Sequence, residues 1–296
     1  MNYALQPRRT SWFGLLGRRL ARFAAILLLS GLLGAAMVRV APGFGTDERL
    51  LDSRLSKASI QAIARERSVG DNVVRYYVDY ISNLLRGDFG TSVSLGRPVR
   101  ELVEERAAVS IRLLGMGLGS AWAAALFLML GLELARVRMC HVAASLTSGA
   151  LLCIPAALLA IGCFYFAGPP ALAVAAILFP RVFQYTHKLV RNFSQAPHVF
   201  AAYAWGETRW RVLCLHVLTP AVPELVALAG VSVSMAVGAA IPVEALCDSP
   251  GIGQLVWQAA LARDLPVIVN VTLLITALTL AANLFADMAR SARRAA

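Results

Sequence analysis

Few side chains in this chain are spaced to do covalent chemistry. Its four histidines stand at His141, His187, His198 and His216, and no two flank a glutamate in the H-E-x-x-H spacing of hydrolytic zinc sites. The five cysteines, Cys140, Cys153, Cys163, Cys214 and Cys247, form no C-x-x-C pair. They give neither a disulfide framework nor zinc spacing and read as small apolar packing residues. No carboxylate pair on one span and no Ser/His or Ser/Lys arrangement at helical spacing supplies an acid, a base or an activated nucleophile. Nucleotide hydrolysis would need the phosphate loop G-x-x-x-x-G-K-[ST], which does not occur. Gly251-Ile252-Gly253 is a lone G-x-G and is rejected as a nucleotide site. The expectation is a chain with no catalytic residue, no metal centre and no cofactor of its own.

The elements that carry these residues account for the scarcity. Hydrophobic residues make up 58% of the 296 and charged residues 15%, against about 45–50% and 25% in soluble domains. That composition argues against a soluble enzyme and excludes disorder for most of the chain. A helix needs about 20 mainly apolar residues to cross a bilayer. Uncharged runs of 16, 20, 42, 19 and 22 residues lie between Arg22 and Arg39, Arg112 and Glu133, Arg138 and Arg181, Glu224 and Glu244, and Asp264 and Asp287. The longest holds two spans split at Gly168-Pro169-Pro170, a strong turn signal. Sustained alternation is absent, which excludes a strand barrel. The expected fold is therefore all-α, a multi-pass bundle of six spans, at 23–40, 113–134, 142–166, 171–190, 222–243 and 265–286. The first reads as a retained span rather than a cleaved signal peptide, because Arg39 falls where a cleavage site would lie.

Arginine and lysine in short loops set the orientation. Arg8, Arg9, Arg18, Arg19 and Arg22 precede the first span, Arg136 and Arg138 follow the second, and Arg290, Arg293 and Arg294 close the chain. The segment after the fourth span adds Lys188, Arg191, Arg209 and Arg211, whereas the Gly-Pro-Pro turn has no basic residue and 244–264 has only Arg263. Segment 1–22, loop 191–219 and tail 287–296 are expected in the cytoplasm, and loops 41–111 and 244–264 outside. The net charge of +11 thus reads as topology, not nucleic-acid binding.

The loops carry the more specific signals. Residues 71–85, with Tyr76, Tyr77 and Tyr80, read as an amphipathic helix. It runs into Gly87-Asp88-Phe89-Gly90-Thr91-Ser92, whose glycines and aspartate suit a tight turn. In loop 191–219, Ala201-Ala202-Tyr203-Ala204-Trp205-Gly206 is followed by Glu207 onward to His216 and Pro220. This reads as helix, glycine bend, second helix and proline stop, a shape suited to seating in a cleft on a partner protein.

With these loops in view, the sequence resembles the permease subunits of ABC transporters of the dipeptide, oligopeptide and nickel class. Five places match in order: Gly87 to Ser92; Ile154-Pro155; Ala202-x-Ala204-x-Gly206 with His216, as in the cytoplasmic EAA loop; Glu244 with Ser249-Pro250-Gly251-Ile252-Gly253; and Ala262-Arg263-Asp264-Leu265-Pro266. Together they extend over most of 20–288. Trp205 departs from the family's usual lysine and Pro220 from its usual polar residue. The resemblance implies an import subunit in a bacterial inner membrane. It implies a second homologous permease, two ATP-binding subunits that bind the ATP, and an external solute-binding protein as partners beside membrane lipid. It points to Ala202, Ala204, Gly206 and His216 for coupling to the ATPase. A stand-alone channel or secondary transporter is the alternative.

Three further sets of residues follow from the spans and loops. Arg181 lies about ten residues into the fourth span; either it lines a translocation path and meets peptide carboxylate or carbonyl groups, or it snorkels to the cytoplasmic surface. Pro155 and Pro180 either kink helices so as to shape that path or mark packing irregularities. Gly87, Asp88, Gly90, Pro250, Gly251 and Gly253 are expected to fix the external loops, with direct contact to a binding protein as the other reading.

Overall fold

A computed structural model describes residues 12–40, 73–135 and 138–295. The expected loop 41–111 therefore lies partly outside the described residues, as do most of segment 1–22 and the Arg136–Val137 turn. Every regular element among the described residues is helical: α1 (Trp12–Val40), α2 (Val73–Leu85), α3 (Val99–Ala135), α4 (Arg138–Leu152), α5 (Ala156–Tyr165), α6 (Pro170–Ser194), α7 (Pro197–Ala204), α8 (Arg209–Leu246), α9 (Ile252–Ala262) and α10 (Leu265–Ala295).

Close packing at small residues holds the bundle together. From Leu113 onward the buried positions of α3 are Leu113, Gly117, Ala121, Ala125, Met129 and Leu132, nearly every fourth residue, so they form one ridge. That ridge meets Val174, Leu178, Val182, Phe183 and Val190 of α6. The other main pairings are α8 with α10, α1 with α10, and α6 with α8. Glycines let backbones approach where the solvent is not water and dispersion replaces hydrophobic drive. A Cβ on Gly230 would stand 2.7 Å from the Ala282 carbonyl and from the Ala286 methyl. On α1, the buried Tyr77 of α2 donates its hydroxyl to the Leu28 carbonyl at 2.8 Å. Burial pushes that phenol above the usual range, which keeps it a donor.

Among the described residues three helices are long and apolar enough to cross a membrane, Val99–Ala135, Arg209–Leu246 and Leu265–Met288. The stretch expected as one span at 142–166 holds α4 and α5, which meet at 91°; counted as one broken span it makes a fourth. The break falls at Pro155, which lacks an N–H and drives the preceding residue out of the α region. Helix α6 has 25 residues, about 37 Å at 1.5 Å each, but its polar face keeps it below that apolarity. In α1 the apolar part is Ala21–Met37.

Gly230→Ala should lower the thermal unfolding midpoint in detergent, by about 1–3 kcal/mol of overpacking. Gly238→Ala, where nothing lies within 4 Å of the new Cβ, should leave it level or slightly raised.

Candidate functional site: a carboxylate-clamped end and a latched bend

The two ends of the bundle are built differently. At one end, two fully buried carboxylates organise the segments singled out above. Glu244, near the end of α8, has no solvent exposure. It accepts the Ser110 hydroxyl of α3 at 2.7 Å and the backbone N–H groups of Gly253 at 2.6 Å and Gln254 at 3.4 Å. Those amides belong to the first turn of α9, whose donors have no partner inside the helix. Ser110 Oγ accepts the N–H of Ile252 at 2.8 Å, and the Gly251 amide bonds to the Ser249 carbonyl at 2.7 Å. All four orphan donors are thus satisfied, three of them by side chains supplied from other helices. The absence of side chains on Gly251 and Gly253 makes room: a Cβ on Gly251 would overlap the Glu244 carboxylate. Pro250 sits exposed at the loop's turn.

Asp264 is the second carboxylate, 1% exposed between α9 and α10. Its Oδ2 accepts the Ser92 hydroxyl at 2.5 Å and both the hydroxyl and amide of Ser94, at 2.7 and 3.0 Å. Its Oδ1 faces the Val267 amide at 3.4 Å, the N-cap position of α10. The segment it holds is a tight hairpin. Thr91 pairs with Pro98, Asp88 Oδ1 accepts the Gly90 amide at 2.9 Å, and Asn270 of α10 donates to the Phe89 carbonyl at 2.7 Å. Gly87 and Gly90 take left-handed backbone angles. Gly87 and Asp88 are themselves exposed at the tip.

At the opposite end lies a bend held by a latch. Gly206 joins α7 to α8 with φ of +83°, a conformation that a side chain strains. Beyond it the helix widens to a π turn over Val212–Leu218. Pro220 explains part of this, because it has no N–H to give the His216 carbonyl four residues back. His198 of α7 replaces it, donating Nε2–H to that carbonyl at 2.9 Å. The His216 ring donates to Glu207 Oε2 at 3.1 Å, and Thr219 Oγ1 donates to the Cys214 carbonyl at 2.8 Å. So His216 holds the bend through both its ring and its carbonyl.

Of the expected coupling residues, Ala202 faces inward, packed with Val199, Val212 and Leu132. Ala204 and Gly206 are exposed. Around them Phe200, Trp205 and Trp210 also face outward, Trp205 with 80% of its surface free.

Arg181 is the twelfth residue of α6's 25 and is exposed, one turn above exposed Tyr185 and two above Lys188. Pro180 beside it is buried inside the helix, whereas Pro155 is exposed at the start of α5. These three do not converge on one site.

Residues 114–292 match the family described as binding-protein-dependent transport system inner membrane component. The chain belongs to that family. Similar proteins include the oligopeptide transport system permease protein AppB of Bacillus subtilis, 24% identical, covering 92% of this chain and 95% of the relative. A putative peptide transport system permease protein of Brucella abortus is 25% identical over 92% of this chain and 94% of its own length. A putative peptide permease protein of Brucella ovis is 32% identical over 40% of this chain and 38% of its own length.

Sequence reasoning had quoted Glu244 and Asp264 only as parts of matched motifs. Their partners Ser110, Ser92 and Ser94 lie more than a hundred residues away in sequence and carry no local signal. His198 and Glu207 were likewise missed as the partners of His216.

Asp264→Ala should free the hairpin, costing about 3 kcal/mol through lost charge-assisted bonds. Limited proteolysis should then cut within 86–98, where the parent chain resists.

Proposed function

We propose that this chain is one membrane-spanning half of an ATP-driven importer for peptides or a related small solute. In this reading α1, α3, α4 with α5, α6, α8 and α10 are its six spans, with both termini in the cytoplasm. The arginine-rich short loops support that orientation. A second homologous permease completes the pore, two ATPase subunits drive it and an external solute-binding protein delivers the cargo. The relatives' names as peptide permeases support the cargo class.

The observation that carries the reading is the exposed, latched bend. Phe200, Trp205 and Trp210 show large apolar surface around a small-residue helix end. Exposed aromatics of that kind mark a surface made to be covered. The His198–His216–Glu207 chain makes α7 and the start of α8 a rigid unit. A push on α7 from an ATPase closing on ATP would pass through Val199 and Ala202 into α3 and α6, whose side chains share their core. Rocking of packed helices then alternates access to the path.

Helix α6 supplies the wall of that path. Its apolar face packs on α3 and α8, while Arg181, Tyr185 and Lys188 form an unburied polar stripe. Ionisable groups at that depth face a bundle interior or a water-filled route. Arg181 would meet the carboxylate or carbonyl groups of a passing peptide.

Ala204→Glu should reduce co-purification of the ATPase subunit about tenfold or more, the scale of a spoiled interface anchor, with the unfolding temperature unchanged. Ala202→Leu should instead lower that temperature, since it strikes the core. If the chain purifies alone even after gentle crosslinking, a channel or self-sufficient carrier replaces this reading. Arg181→Gln should cut peptide uptake about tenfold, one charge-assisted bond, with assembly intact; unchanged uptake would remove Arg181 from the path.

A further inference from the structure

Near the latched bend, three side chains from three helices converge in a way that transport by the pore does not require. His141 opens α4, His187 lies near the end of α6, and Glu133 closes α3. One ligand atom from each, two imidazole nitrogens and a carboxylate oxygen, lies within 4.8 Å of the others. His141 Nδ1 and His187 Nε2 are 2.9 Å apart, so one nitrogen donates its proton to the other. The His187 ring is buried and fixed by stacking on Phe183, with centroids 5.5 Å apart and planes at 11°, and on His141 at 5.2 Å. The Glu133 carboxylate is half-buried and makes no hydrogen bond or ion pair with another described residue. A half-buried carboxylate without a donor among the described residues, beside two imidazoles whose nitrogens face each other, is an arrangement that a shared proton satisfies incompletely.

We propose that Glu133, His141 and His187 form a binding site for a borderline divalent transition-metal ion of the Zn2+, Co2+ or Ni2+ class. Two imidazoles and one carboxylate are a donor set that such ions accept, with the remaining position filled by water. Ligand bonds of about 2.0–2.1 Å in tetrahedral geometry put neighbouring donor atoms roughly 3.3 Å apart. The imidazoles need to part by only a few tenths of an ångström, and Glu133 must close by at most about 1.5 Å through side-chain rotation. No proton has to leave the site: the donor imidazole moves its N–H to its other ring nitrogen, and both facing lone pairs then point at the ion. Glu133 supplies the negative charge that a dication calls for, against the like charge of Arg191, one turn beyond His187.

The ion would clip the end of α3 and the start of α4 onto α6. That is where Leu132 and Val190 pack with Val199 and Ala202 of α7, so the clip would brace the seat of the bend. Ions that bind the folded state alone raise its stability by mass action.

The test uses the full chain, with any subunits that co-purify, in detergent or nanodiscs after chelation. Titration with Co2+ should develop a ligand-field absorption band that saturates near one ion per chain, and Zn2+ should displace it and raise the unfolding temperature. His141→Gln, at the half-exposed edge of the site, should weaken Co2+ binding at least about tenfold, and Glu133→Gln should weaken it as well. His187→Gln is read only if it elutes as the parent chain does; His141→Gln decides the matter if it does not. Cys140→Ser tests the neighbouring thiol and should bind as the parent chain does. Absence of a saturable band, binding that survives His141→Gln, or binding lost in Cys140→Ser would overturn the site.

Discussion

A carboxylate with no access to water must be hydrogen-bonded, and at one end of this molecule that requirement fixes the positions of five segments. Glu244 can be buried only because the first turn of α9 presents bare amides and α3 presents the Ser110 hydroxyl. The turn in its place can exist only because Glu244 meets those amides. Neither partner is stable there without the other. Asp264 repeats the logic one loop later, facing the start of α10 with one oxygen and tying the 86–98 hairpin with the other. The low-dielectric surroundings strengthen each of these bonds and raise the cost of losing any one. The result is an end that resists partial disassembly.

The opposite end has no such clamp. Its bend is held by neutral or surface-exposed contacts: one imidazole to a carbonyl, one imidazole to a carboxylate, one threonine to a carbonyl. Exposed bonds of this kind are individually modest. The two ends thus differ in how firmly their geometry is held, an asymmetry that suits the proposed transmission of a push from a partner at the bend.

Hydropathy made the all-helical class and the long helices α3, α8 and α10 legible, because apolar runs bounded by charge translate directly into length. The extent of α3 was less so: it begins at Val99, and its first turns carry Glu101, Glu104, Glu105 and Arg106, which no hydropathy count assigns to a span. Pro155 marked an interruption, but the 91° turn between α4 and α5 depends on what they pack against. At the site, the glycines of 251–253 and 87–90 signalled tight backbone, whereas the carboxylates that need those glycines are specified by contacts between distant segments. Ala202 shows the limit most clearly. Its motif pairs it with Ala204, but two residues of helical phase, about 200°, turn it into the core while Ala204 faces out. Glu133, His141 and His187 were invisible for the same reason, since their spacing of eight and 46 residues has no helical or loop period.

The amphipathic build of α6 bears on how the chain enters a bilayer at all. An arginine at the centre of a lone helix costs about 2.5–3.5 kcal/mol on insertion scales, and α6 adds Lys188 to Arg181. The bent pair ahead of it is no better a lone guest, because its break at Pro155 exposes backbone groups that lipid leaves unsatisfied. In the proposed six-span reading these pieces are handed over together, with the small-residue ridge of α3 as a template, and insertion of the middle of the protein becomes a cooperative event ordered by which helix can stand in hydrocarbon by itself.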